Sequence, residues 1–342
     1  MSTDDLQHAK RIARGMNDAL DAAPEADLAT VLAEHTTTNY YWRGMHPFYE
    51  QQGAADVASV FWLPLRQSFS SLQRREDIFF AGKNAVGNAA SIWVVSMGNL
   101  MGLFDSDWLG IPATRKLAFL RYAEFHRIEG SKVAESAFFC DVLSIMQQAG
   151  HYPLPAPPTG ADIIQPGPRT HDGVLLNPQS AEDGEKTMIL VKEMIDDLSE
   201  LNVTGNDRCT PEVLQRTWHD DMVWYGPTGI GATYTIPRYQ EQHQYPFRTQ
   251  LKNKTFNGHV ARFAEGRYAG FFGWANLTNT PTGGFLGLPG NEVQADMRVV
   301  DIYRRDGDKL VENWVFIDLL HWLSMQGLDV LGRMREQLGP NQ

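Results

Sequence analysis

The stretches LRYAEFH (120–126) and MRVVDIY (297–303) each place an acid two residues from a group able to share a proton. In the first, Glu124 sits between Tyr122 and His126; in the second, Asp301 is followed at the same spacing by Tyr303. Side chains alternate across a strand, so each set shares one face, with neighbours about 6–7 Å apart. A carboxylate removed from water has its pKa raised and becomes a base near neutral pH. A Tyr or His beside it can donate to a developing oxyanion. This pairing suits removal of a proton next to a carbonyl, as in isomerisation, dehydration or aldol closure. The other possibility is structural: an acid held by a core Arg or Tyr that does no chemistry. His46 in RGMHPF and His243 in EQHQYPF are further acid–base candidates. The segments YWRG and VWYG offer Trp42, Trp224 and Tyr225, with Tyr122, as walls of a binding site. No HExxH, CxxC, P-loop or complete GxGxxG is present. His219, Asp220 and Asp221 are adjacent and cannot easily converge on an ion, so neither metal nor cofactor is expected.

Regular elements must position these residues. Helices are expected at 3–20, 25–34 and 54–68, then strands at 74–82, 90–104, 115–128 and 132–141. The order then returns. Helix 184–201 puts Val191, Met194, Ile195, Leu198 and Leu201 on one stripe. Thr210-Pro211 reads as a helix start. A helix at 236–250 and strands at 256–265, 267–278, 293–305 and 309–318 follow. IEGSK and RDGDK are Gly-containing hairpin turns joining the last two strands of each set.

The recurrence is also literal. WLGIPAT (108–114) lies over FLGLPGN (285–291) with Gly110 on Gly287, an offset of 177. Continuing without gaps aligns Arg121 with Arg298, Arg127 with Arg304, Glu135 with Glu312, Phe139 with Phe316 and Asp141 with Asp318. Two copies of one α+β domain are therefore expected, at 1–150 and 179–342. The Pro/Gly-rich linker 151–178 would be wrapped over the surface through Leu154, Ile163 and Ile164.

The closing hairpins are HRIEGSKVAESAFFCD (126–141) and YRRDGDKLVENWVFID (303–318). Each has a basic strand end, a tight Gly turn and K-[IVL]-x-E; the second adds a Trp four residues before an Asp. With WLGIPAT and RREDIFFAG (74–82), they resemble SnoaL-like proteins. These have the NTF2-like fold, a cone of helices over a strongly curved, mostly antiparallel sheet with a deep cavity. The resemblance spans nearly the whole chain, twice. Its family includes polyketide cyclases, dehydratases, isomerases, epoxide hydrolases and non-enzymatic members, so fold alone does not settle function.

The catalytic Asp of the cyclases falls on Phe138 and Val315 here, and their His falls on Glu124 and Asp301. If that His faces the cavity, so do Tyr122, Glu124 and His126, and likewise Asp301 and Tyr303. The resemblance implies a cofactor-independent lyase, isomerase or cyclase acting on a hydrophobic carbonyl compound. Asp301 or Glu124 would be the base, with Tyr303, His126, His243 or His46 as partner. The alternative is a small-molecule binding protein of the same fold. The copies are expected to pack as an internal pseudo-dimer, with homo-oligomerisation left open.

The opposite strand face carries Glu135, Asp141, Glu312 and Asp318 against Arg121, Arg127, Arg298 and Arg304. Ion pairs are expected there, where one sheet packs on another. A strand end can bend, so Asp141 and Asp318 also stand as candidate substrate-binding residues. The 342 residues are 43% hydrophobic, ample for a core, and carry a net charge of −11. That balance argues against nucleic acid, because neutralising phosphates needs a basic face. Cys140, in an apolar run, is expected to be a buried thiol. The charged N-terminus and the absence of any run near the roughly 18 apolar residues of a span suggest a cytoplasmic, non-membrane protein. The sequons at Asn202, Asn253 and Asn276 would then be idle.

Overall fold

A computed structural model describes residues 3–88, 90–156, 164–204 and 209–339. The first half begins with α1 (Thr3–Ala22) and α2 (Leu28–His35), then β1 (Thr36–Gly44) and β2 (Glu50–Gln52). Helix α3 (Ala54–Val57) passes through a π-helical turn (Ala58–Trp62) into α4 (Leu63–Ser68). Strands β3 (Phe69–Lys83), β4 (Ile92–Phe104), β5 (Leu117–Glu129) and β6 (Lys132–Cys140) lead to α5 (Val142–Gln148).

The second half repeats this with α6 (Ala181–Thr204), α7 (Pro211–Gln215), β7 (Trp218–Tyr225) and β8 (Ala232–Tyr234). Helix α8 (Ile236–Tyr239), a π-helical turn (Gln240–Gln244) and α9 (Tyr245–Thr249) follow. Then come β9 (Leu251–Phe256), β10 (Ala261–Glu265), β11 (Tyr268–Pro281), β12 (Ala295–Asp306), β13 (Lys309–Ile317), α10 (Leu319–Met325) and α11 (Val330–Leu338). Among the described residues, sheet 1 runs β2-β1-β6-β5-β4-β3, and sheet 2 runs β10-β11-β12-β13-β7-β8 with β9 also on β11. Among the named strands of the described residues, the β1–β6 and β7–β13 pairings are parallel and the rest antiparallel. This is the tandem α+β arrangement, helices on a mostly antiparallel sheet in each half, expected from the sequence.

Local chemistry explains the elements. Helix α1 buries Ala9, Ala13, Met16 and Leu20 along one stripe. Gly130 and Gly307 sit at φ +59° and +58° in the β5–β6 and β12–β13 turns, where a side chain would be strained. The two halves share strand register. Glu124 stands opposite Phe138 and Asp301 opposite Val315; Arg127 faces Glu135 and Arg304 faces Glu312. A bulge follows each Arg. Upstream, Trp42 faces Ser136 and Trp224 faces Asn313, an offset of 182 that the π-turns also obey.

Three expectations are revised. The strand expected at 256–265 is two strands, β9 and β10, each pairing with a different part of β11. Helices α5, α10 and α11 close the halves where the sequence reading stopped at strands. The ion pairs expected where one sheet packs on another do form, but inside each half rather than between the two. Arg127–Glu135 (3.1 Å) and Arg304–Glu312 are cross-strand pairs within one sheet.

Asp141 and Asp318 lie just past their strands and cap α5 and α10 by accepting the N–H groups of Ser144 and His321 at 3.1 Å. Each also accepts a backbone N–H from the other half: Thr228 for Asp141 (2.8 Å) and His46 for Asp318 (2.9 Å). The same offset of 182 relates His46 to Thr228, so the two clamps are reciprocal. Arg298 reaches Asp318 at 3.5 Å, and Arg121 donates to the Val315 (2.9 Å) and Tyr225 (3.2 Å) carbonyls.

The sheet faces turned away from the helices meet one another. Phe80 packs on Phe263 at 5.4 Å, Phe125 on Phe272 at 4.9 Å and Phe139 on Trp274 at 5.5 Å. Lys10 of α1 pairs with Glu265 of β10 at 2.7 Å. The linker is held along its described part. Val174 bridges to Phe79, and the Trp314 indole donates to the Pro166 carbonyl at 2.9 Å. Leu154 is buried but Ile164 is 56% exposed, so it anchors nothing; Ile163 lies outside the described residues. Cys140 and Cys209 are both buried. Among the described residues, no helix is long and apolar enough to cross a membrane.

Candidate functional site

The inner face of sheet 2 delivers Met297, Val299, Asp301 and Tyr303 from β12, and Asn313, Val315 and Ile317 from β13. Trp224 comes from β7, His243 from the π-turn, and Met194, Ile195 and Leu198 from α6. Together they line a cavity of about 180 Å³. A cavity of about 150 Å³ holds benzene, so a single ring or short chain fills this one.

Asp301 accepts from Asn313 Nδ2 at 3.2 Å and from the Tyr303 hydroxyl. Burial pushes its carboxyl up to about 6, against the smaller lowering by these two donors. No cation contributes to that balance. Burial and the neighbouring Asp301 hold the Tyr303 hydroxyl protonated far above its ordinary range.

Two imidazoles share the cavity. His243 stacks on Trp224 at 3.9 Å and His259 on Phe271 at 3.9 Å, both nearly parallel. Burial lowers both to about 3, so both are neutral at physiological pH. Asn276 reaches the cavity because β11 bulges between Gly273 and Leu277. The bulge folds so tightly that a Cβ on Gly273 would meet the Asn276 Cβ at 2.0 Å.

The first half keeps the plan and fills the space. Glu124, Tyr122 and His126 are all sealed from solvent there. Arg74 enters from β3, with Nη1 at 3.3 Å from Glu124 and Nε at 3.1 Å from Asp21 of α1. Its guanidinium lies 5.1 Å from the centre of the Tyr122 ring and 5.5 Å from that of Trp62. His126 Nε2 sits 3.6 Å from Glu124 while its Nδ1 meets Ser136 Oγ at 2.8 Å. Tyr122 shares a hydrogen bond with Ser96, which donates to Glu76, which pairs with Arg14. Burial lifts Glu124 to about 7 and lowers His126 to about 3.

The difference is written in equivalent positions. Tyr122 and Phe138 become Val299 and Val315. Arg74, opposite Leu100, becomes Phe256, opposite Leu277. Phe256 lines the cavity while half exposed and brings no charge to Asp301.

The structure therefore brings Asp301, Tyr303, His243 and Trp224 together, and leaves the other expected site residues elsewhere. His46 lies outside both cone interiors, in a surface groove with Asp329 and Arg335. Its place in the chain follows the end of β1, beyond the sheet. Trp42 is sealed among Phe48, Phe61 and Phe138. Tyr225 has the opposite parity to Trp224 and stacks on Trp314 at 5.7 Å. Asp141 and Asp318 are capping and clamping residues. His259, Asn276 and Asn313 were not anticipated. Asn313 could have been found, since it pairs with Tyr303 across β12 and β13 and so shares the inward face.

No family model and no curated protein matches the chain. Among solved structures, it is similar to a protein assigned as a SnoaL-like polyketide cyclase from Jannaschia sp. CCS1. The identity is 17% and the TM-score 0.33, over 41% of this chain and 90% of that one. It is also similar to an NTF2-like protein from Burkholderia xenovorans LB400, at 12% identity and TM-score 0.32, over 42% and 97% of the two chains. An NTF2-like protein from Burkholderia thailandensis E264 gives 17% identity and TM-score 0.31, over 42% and 97%.

Proposed function

We propose that the second half is a cofactor-independent lyase, isomerase or cyclase that moves a proton next to the carbonyl of a small apolar compound. The observation that carries this is Asp301, an acid that makes no ion pair among the described residues, aimed into a largely apolar cavity whose walls also hold two neutral imidazoles and the buried Arg248. At neutral pH a carboxyl titrating near 6 is mostly ionised, yet basic enough to take a carbon-bound proton. Charge then moves to the substrate oxygen. His243 and His259 are too weakly basic to compete for that proton, and can offer a neutral N–H to the oxyanion. Tyr303 and Asn313 hold the carboxylate in one orientation. Returning the proton from Asp301 at a different carbon gives isomerisation, passing it to a departing β-hydroxyl releases water and gives dehydration, and passing it to the alkoxide formed by attack on a second carbonyl completes ring closure.

The first half serves as a filled structural partner, with Glu124 held by Arg74. The test is exchange of the α-proton of enolisable carbonyl compounds in D2O, followed by NMR. The native protein accelerates exchange of those that bind, and Asp301→Asn abolishes the acceleration while retaining binding. Binding without acceleration by the native protein would leave the non-catalytic carrier as the correct description.

A further inference from the structure

In the first half, Phe48 packs on Phe61 at 4.9 Å and on Trp108 at 6.0 Å, a continuous run of rings. Their equivalents in the second half are Ile230, His243 and Phe285. Each replacement is smaller. The space released is a second chamber of about 200 Å³, lined by Ile230, Pro246, Phe285 and Leu286 among others. His243 belongs to the walls of both this chamber and the Asp301 cavity. Its Nδ1 is sealed without a hydrogen-bond partner. The ring is held by stacking on Trp224 and its aromatic neighbours Tyr239 and Phe247. Such a ring can turn between staggered rotamers without breaking a polar contact.

We propose that this second chamber is a subsite for the apolar end of an elongated ligand, with His243 as the movable partition. The ligand class is an aliphatic carbonyl compound too long for the Asp301 cavity alone. Placing its carbonyl end at Asp301 rests on the proton-transfer reading above; the apolar subsite itself does not. Apolar lining on both sides of one partition favours a chain or narrow ring system over a compact polar molecule.

The experiment is a binding series with methyl ketones from butanone to decanone, followed by tryptophan fluorescence. Burying each further methylene strengthens binding about fourfold. In the native protein the rise continues through the longer ketones. Ile230→Phe and Phe285→Trp, which restore residues that the first half accommodates, end the rise early and leave butanone unaffected. A plateau at the short ketones in the native protein overturns the subsite, even if neither variant folds. An identical rise in both folded variants also overturns it. Long-chain binding without α-proton exchange removes the catalytic reading and leaves the subsite standing. Exchange with no dependence on chain length does the reverse.

Discussion

Asp301→Asn should make the protein more stable at pH 8, and this can be measured without any substrate. The native carboxyl titrates near 6, against an ordinary 3.8. Between those values the folded state holds the proton more tightly than the unfolded state. Stability from this group is therefore greatest at low pH and falls as pH rises through about 6. The interval corresponds to roughly 3 kcal/mol; solvent reaching the carboxylate through the cavity reduces it to about 1–2 kcal/mol. The amide is neutral at every pH, can accept from Asn313, and lacks this penalty. Urea unfolding at pH 8 and pH 3, followed on the transition of the second half, should show the variant ahead by about 1–2 kcal/mol at pH 8 and level at pH 3, below the ordinary 3.8 of the unfolded carboxyl. A variant less stable at pH 8, or displaced equally at both pH values, would refute the claim that Asp301 is kept charged at a cost in stability.

Three further outcomes are expected. Arg74→Met should lower stability by about 3–5 kcal/mol in urea melts, because it leaves Glu124 buried without its cation, while ketone binding in the second half is unchanged. Asn313→Leu removes a donor that lowers the Asp301 pKa, so the acidic limb of the kcat/KM profile for α-proton exchange should move above pH 6. Asp318→Ala deprives α10 of its cap, His46 of its acceptor and Arg298 of a partner. It should cost about 2–4 kcal/mol by chemical denaturation, with Asp141→Ala destabilising through the equivalent clamp.

Most of the architecture was legible because it is repeated. A gapless offset of 177 survives as cross-strand register, and strand parity was enough to place Glu124 and Asp301 inside their cones. Parity says nothing about what fills the space in front of a residue. Arg74 closes the first cone from 50 positions away in the chain, and no local pattern connects it to Glu124. His259 and Asn276 depend on the break between β9 and β10 and the bulge in β11, irregularities that a period-two reading smooths away. Asp141 and Asp318 were misplaced for a simpler reason. Each is the N-cap of a short helix, whereas the expected strands run on to include it as their last residue.

The filled first cone shows what joining two copies in one chain permits. In a symmetric dimer every substitution occurs twice, so a residue that plugs one site plugs both. Here Arg74 can act as a stabilising stopper in one copy while Asp301, with no ion pair among the described residues, faces an open cavity in the other. One half is thereby free to be a sealed wall for its neighbour, while the other keeps an open cavity with an acid in its lining.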